Sequence, residues 1–289
     1  MCYASINKIK DSHYDLVVLD EMHRLTLGNS IFFDSNTVDN ILALTATPPL
    51  EEEKKDILYN KLKLKITYEL PIDKAVTLGL VAPYKIVVVE GYLDNVDKYI
   101  ESGKKPKIFM QTEYAKYNYL TRNIQKMMFS GVDIPKFMYL ARMRFIYNLK
   151  SKIVNAKKIL EIIPEEDKTL IFCGGIDQSK ELCKHTFNSK TDDKDYKKFI
   201  KGSINRLAVV NSVNEGHNIP NLDSALIVQL NSNPRDLVQR VGRIIRKREG
   251  HEAIIYILCT LATQDENWLE KALEGFDKSN ITYINIKNL

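Results

Sequence analysis

In Leu16-Val17-Val18-Leu19-Asp20-Glu21-Met22-His23 a four-residue aliphatic run stops at two adjacent carboxylates. So short and wholly apolar a run fits a buried parallel strand, and in open α/β sheets the ligand site lies beyond the C-terminal ends of such strands. A second run, Ile41-Leu42-Ala43-Leu44, ends in Thr45-Ala46-Thr47-Pro48-Pro49. Two adjacent carboxylates at a strand's end can divide labour, because successive side chains point in different directions. Asp20 suits Mg²⁺, which prefers one or two carboxylates plus phosphate oxygens. Glu21 suits the orientation of a water for attack on a phosphoryl group. An ordinary acidic turn that caps a helix would use the same residues.

Working outward, the chain alternates short apolar runs with helical patterns. Residues 51–63 begin with Glu51-Glu52-Glu53 and continue with lysines, which matches a helix dipole, and Lys85 to Val89 reads as a strand. Later strands are Thr169-Leu170-Ile171-Phe172-Cys173, which runs into Gly174-Gly175, then Leu207 to Val210, Ala225 to Val228 and Ala253 to Leu258. Helices are predicted over about 176–187, 234–246 and 264–274. Strands that alternate with helices imply a parallel sheet built from βαβ crossovers. Between the two α/β parts, residues 91–165 are rich in Lys, Tyr, Met and Asn. The predicted elements there are helices near 94–102, 111–129 and 138–162, broken at Pro106, Gly131 and Pro135. Tyr92, Tyr99, Tyr114, Tyr117, Tyr119, Tyr139 and Tyr147 sit among basic residues in this stretch. Such rings either stack bases or pack with the hydroxyl at the surface.

At 289 residues, 44% hydrophobic and 27% charged, the composition is that of a folded protein with room for two lobes. No apolar run reaches about 18 residues and no secretory pattern opens the chain, so neither a membrane span nor a signal is expected. The four cysteines form no C-x-x-C pair, which argues against zinc or a disulfide framework and for a reducing cytoplasm. The net charge is only +5, but five of the ten arginines fall within 235–248. In Gln239-Arg240-Val241-Gly242-Arg243-Ile244-Ile245-Arg246, three arginines recur every third residue, close to one helix face, and Gly242 allows close approach of another backbone. Planar guanidinium groups so clustered suit a phosphate gripped with defined geometry, as a γ-phosphate in transfer requires. Surface salt bridges are the plain alternative.

Taken in order, these pieces resemble motifs II to VI of superfamily 2 helicases, closest to the DEAD/H-like helicases of the type III restriction subunit group in bacteria and phages. The motifs are DEMH (20–23), TATP (45–48), Leu170 to Cys173, Asn214-Glu215-Gly216-His217-Asn218-Ile219-Pro220, and QRVGRIIR (239–246). Gly79-Leu80-Val81-Ala82-Pro83-Tyr84 is similar to the passage leading out of the first lobe in that group. The resemblance implies tandem RecA-like parallel sheets. Residues 1–90 would form the C-terminal part of lobe 1, 91–165 a helical connector and 166–289 lobe 2. It further implies an ATP-dependent helicase or translocase with ATP and Mg²⁺ as cofactors, working on nucleic acid, DNA rather than RNA, in the cytoplasm of a bacterial or phage-infected cell.

Carried over by position, the resemblance makes Asp20 the Mg²⁺ ligand, through water, and Glu21 the catalytic base. His23, Thr45 and Thr47 would couple the nucleotide site to movement on nucleic acid. Arg243 and Arg246 would contact the γ-phosphate, with Gln239 helping to position them. Gly216 and Asn218 match the part of motif V that approaches the nucleotide, although many relatives carry aspartate where Asn218 stands. Ser212 and Gly174 would face the phosphates of the tracked strand. One departure stands out: the 289 residues contain no G-x-x-x-x-G-K-[ST], the P-loop whose amides and lysine neutralise the β- and γ-phosphates. The chain thus reads as opening inside lobe 1, with a sheet edge left bare. Three expectations follow: half of an ATPase whose P-loop half comes from another polypeptide, a catalytically inactive remnant that binds nucleic acid or regulates, or an unrelated α/β nucleotide-binding enzyme, which would leave the ordered motifs unexplained.

Overall fold

The structure is a computed structural model. It describes residues 2–46, 48–49, 51–210, 219–246 and 250–289, apart from the side chains of Lys104, Pro234 and Arg235. The chain divides into two units, Met1–Leu70 and Pro71–Leu289.

In the first unit, β1 (His13–Leu19) and β2 (Thr37–Ala43) pair in parallel, with His13 opposite Thr37 and Leu19 opposite Ala43. The crossover between them contains α1 (Leu27–Ser30), whose start is fixed by a capping box: Thr26 Oγ1 accepts from Asn29 N, and Asn29 Oδ1 accepts from Thr26 N. Strand alternation splits the side chains between two faces. Val17, Leu19, Ile41 and Ala43 pack with Met22, Leu25, Ile57 and Leu58, the last two from the helical stretch that begins at α2 (Glu52–Lys55) and continues through Asp56–Lys61. The opposite face carries Leu16 and Val18, 53% and 51% exposed, beside exposed Leu42. Among the described residues β1 has no strand partner on its other edge.

The second unit is built on a seven-stranded sheet, every pairing of which is parallel. After α3 (Ile72–Thr77) comes β3 (Tyr84–Gly91); the antiparallel hairpin of β4 (Ile100–Lys104) and β5 (Lys107–Gln111) then leads into α4 (Glu113–Phe129), α5 (Lys136–Tyr147) and α6 (Lys150–Ile162). The rest of the chain supplies β6 (Thr169–Phe172), α7 (Ile176–Leu182), β7 (Thr186–Phe187), α8 (Lys194–Ile200), β8 (Arg206–Val209), β9 (Ser224–Ile227), α9 (Pro234–Ile244), β10 (Ala253–Thr260), α10 (Gln264–Leu273) and β11 (Ile281–Asn285). The strand order is β11-β3-β10-β9-β6-β8-β7. Alternate residues serve two cores. Leu170, Phe172, Ala225, Ile227, Ile255 and Ile257 meet α9 and α10 on one face, and Ile171, Ala208, Leu226 and Leu258 meet Ala156, Ile159 and Leu160 of α6 on the other. Burial on both faces is why these strands are continuous apolar runs.

Four expectations change. The boundary at residue 90 moves to Leu70/Pro71, because β3 pairs with β10 and β11 in the second unit's sheet, Tyr84 opposite Ala253 and Ile86 opposite Ile281. The connector is no separate body, since Ile146 of α5 and Ala156 and Ile159 of α6 are fully buried in that unit's cores. The helix predicted at 94–102 is absent. Asp94 Oδ1 accepts from Val96 N and Asp97 N, turning the chain, and the β4–β5 hairpin follows. The long helix predicted at 138–162 is two helices, parted where Asn148 Nδ2 donates to Arg144 O and buried Leu149 takes an extended conformation.

Candidate functional site

In the first unit the parallel register brings the ends of β1 and β2 out together. Leu44 N donates to Leu19 O (2.8 Å) and Met22 N to Leu44 O (2.9 Å), which stitches the segment after β1 to the segment after β2. Glu21 sits at φ 51°, ψ 52°, the left-handed region. For a residue with a Cβ this costs on the order of 1 kcal/mol, and such strain gathers at functional positions. Its carboxylate Oε2 lies 3.3 Å from His23 Nδ1, and the same nitrogen lies 3.1 Å from Thr45 Oγ1. Glu21, His23 and Thr45 therefore form one line from the first strand's end to the second's. Glu21 Oε2 is shielded from solvent yet receives no hydrogen bond among the described residues, although it lies close to His23 Nδ1. An oxygen so placed is open to a donor from outside the chain, such as a water.

Asp20 is exposed, and its carboxylate has no hydrogen bond or ion pair among the described residues, so its oxygens are free for a hydrated cation. Only its backbone is engaged: Tyr3 Oη donates to Asp20 O (2.8 Å). Partial burial, with the negative charges of Asp20 and Glu21, pushes the Tyr3 phenol up to about 12, so Tyr3 stays a donor throughout the physiological range.

In the second unit α9 carries the arginines. Leu237, Val241, Ile244 and Ile245 bury its inner face. Asp236 accepts from Asn231 and Asn233 side chains at the helix start, where a negative charge is favoured. The three arginines do not act together. Each step of three residues turns about 60° around a helix, and Arg240 falls on the inward side. Its guanidinium lies 5.0 Å from the centre of the Phe172 ring and Nη1 donates to Gln229 O (3.1 Å). Burial holds its pKa below the usual arginine value, against the pull of Asp236. Arg243 is half-buried and Arg246 exposed, and both bear on Tyr196 of α8, whose phenol burial raises while the two guanidinium charges oppose. Gln239 is half-buried. The end of the arginine segment is tied to the stretch that opens the second unit: Ala82 N donates to Ile245 O (2.7 Å), and Val81 bridges Arg246.

Gly174, expected to face phosphates, has a packing reason to be glycine. A Cβ there would lie 2.9 Å from Gln229 Cγ and 3.3 Å from Tyr147, while Gly174 N donates to Gln178 Oε1 (2.8 Å). Thr47, Ser212, Gly216 and Asn218 lie outside the described residues.

Sequence reasoning missed a buried polar cluster beneath these elements. Lys152 Nζ is 2.7 Å from Asp265 Oδ2, both side chains 0% exposed, and donates to Gln229 Oε1 (2.7 Å). Asp265 Oδ2 also accepts from Thr260 N. Gln229 thus joins the Lys152–Asp265 pair, through its side chain, to Arg240, through its carbonyl. The signal was available: Lys152 occupies the apolar stripe of α6 with Ala156, Ile159 and Ile163, and a lysine there must be paired.

Comparison with known proteins adds the family context. The helicase conserved C-terminal domain matches residues 151–248. The chain is 25% identical over 267 residues to the DNA 3'-5' translocase XPB2 of Sulfurisphaera tokodaii, covering 87% of this chain and 60% of that protein. It is 27% identical over 159 residues to the ATP-dependent DNA helicase fml1 of Schizosaccharomyces pombe, covering 51% of this chain and 19% of that protein. Among solved structures, the ATP-dependent Type ISP restriction-modification enzyme LlaBIII bound to DNA superposes with a TM-score of 0.59 at 16% identity, over 98% of this chain and 23% of that one. The chain therefore spans 60% or less of the length of each of these relatives.

Proposed function

We propose that this chain, whose second unit is the C-terminal lobe of a superfamily 2 helicase, works as part of an ATP-dependent DNA helicase or translocase. It would couple ATP hydrolysis to movement along DNA or to its unwinding. The observation that carries this is the Glu21–His23–Thr45 line, with a shielded Glu21 oxygen that receives no hydrogen bond among the described residues. A binding module has no physical use for a strained glutamate held against a histidine beside an exposed aspartate.

In this reading Mg²⁺ bound with ATP would neutralise phosphate charge. Asp20 would hold its water shell, and Glu21 would accept a proton from the attacking water. His23, hydrogen-bonded to Thr45, would carry changes at Glu21 to the segment after β2. Arg243 and Arg246 would stabilise the transferring γ-phosphate. The P-loop would come from outside these 289 residues, which do not contain that motif. A further layer beside β1 and β2 is supported by their apolar outer face, where Leu16, Val18 and Leu42 stay exposed on strands whose composition suits burial on both sides.

The test is turnover of the enzyme reconstituted with its P-loop half. Glu21→Gln keeps the side chain's size and removes its basicity, and it should lower kcat on the order of 10²-fold with ATP affinity retained. Unchanged kcat in that variant would remove Glu21 from the base's role.

A further inference from the structure

We propose that the outward face of α4 is a binding site for single-stranded DNA, with bases stacked on Tyr119 and Phe129 and phosphates held by Arg122 and Lys126. The choice of DNA rests on the function proposed above; the location rests on the surface itself.

Residues 91–150 contain eleven basic and five acidic residues, a net charge of +6, so the rest of the chain comes to −1. The chain's positive charge is thus concentrated in the segment inserted between β3 and β6. Within it, Tyr119, Arg122, Lys126 and Phe129 fall at spacings of three, four and three, which puts them on one face of a helix. The helix is locked in rotation by its other face. Tyr117 and Ile124 are buried, and Tyr117 Oη accepts from Gln264 N (2.9 Å). The stripe consequently points outward: Phe129 is 91% exposed and Tyr119 58%, and Arg122 and Lys126 are exposed as well. Neither Arg122 nor Lys126 has a carboxylate partner among the described residues.

Here two rings flank two cations, with no acidic residue between them on that face. The two rings lie ten residues apart, about 15 Å along the axis. Unpaired cations suit a polyanion, and large exposed rings suit a partner that offers flat apolar faces. A single strand offers both at once, whereas a duplex hides its base faces in the stack. Beyond Phe129, the turn at Gly131 (φ 67°) and the start of α5 extend the exposed surface with Val132 and Phe137.

The experiment is fluorescence anisotropy of the full chain with a labelled oligo-dT, run across a salt series. Tyr119→Leu/Phe129→Leu should raise Kd tenfold or more, since stacking is worth about 1–3 kcal/mol per base, and should leave the salt slope unchanged. Arg122→Gln/Lys126→Gln should flatten the slope of log K against log salt by about 1.4, two phosphates' worth for a single strand. Both double variants change exposed side chains, and equal urea midpoints would verify the fold. Oligo-dT binding by the wild type that the leucine variant leaves intact would overturn this site while sparing the DNA reading. Absence of oligo-dT binding by the wild type would overturn both. Tighter binding to a duplex of equal length, or to oligo-rU, would overturn the assignment of the occupant.

Discussion

Arg243→Ala in the reconstituted enzyme should lower ATP turnover by about 10³–10⁵-fold, the range that an arginine contributes when it meets charge developing on a transferring phosphoryl group. The geometry distinguishes Arg243 from its neighbour. Arg240 is spent inside the lobe on Phe172 and the Gln229 carbonyl, so it cannot reach a nucleotide without leaving the core. Arg243 and Arg246 remain toward Tyr196 at the surface. Arg240→Ala should therefore show its effect in the unfolding midpoint, and Arg243→Ala in kcat. Steady-state turnover and urea unfolding on both variants check the split. Equal losses of kcat without loss of stability would place Arg240 at the nucleotide too.

Lys152→Met should cost about 3–5 kcal/mol of stability, because removing one member of a buried ion pair leaves the other charge unpaired. Here the penalty falls on Asp265, which would keep only the Thr260 amide, and on Gln229 Oε1, which would lose its donor. Such a loss is a large fraction of the 5–15 kcal/mol typical of a domain. Adding Asp265→Asn removes the stranded charge while an oxygen remains to accept from Thr260, so the double variant should be more stable than Lys152→Met alone. Urea unfolding of the two single variants and the double reads this directly. A double variant whose losses simply add would mean that the two side chains do not interact. Since Gln229 connects the pair to Arg240, loosening it should also loosen α9.

The strands of the second unit were legible because burial on both faces writes itself as unbroken apolar runs, as in Leu170-Ile171-Phe172 and Ala225-Leu226-Ile227. The partner of β3 was not. Pairing Ile86 with Ile255 spans more than half the chain, and nothing local distinguishes a strand that ends one lobe from one that begins the next. The 94–111 stretch misled because a lysine-rich segment with no apolar period carries little signal, and the Asp94 turn is set by hydrogen bonds rather than by pattern. At the site, the ends of two parallel strands were legible, and His23 and Thr45 do meet. The separation of Arg240 from Arg243 was implicit in helical rotation. The Lys152–Asp265 pair needed the fold, because only the sheet brings α6 and α10 together.

Whether these 289 residues form one part of an ATPase whose P-loop lies outside them is tested most directly by their ATP hydrolysis alone, with Mg²⁺ and single-stranded DNA. The expected rate is no higher than that of Glu21→Gln in the same assay, rising only when the P-loop half is added. Robust turnover by the chain alone that Glu21→Gln abolishes would contradict it.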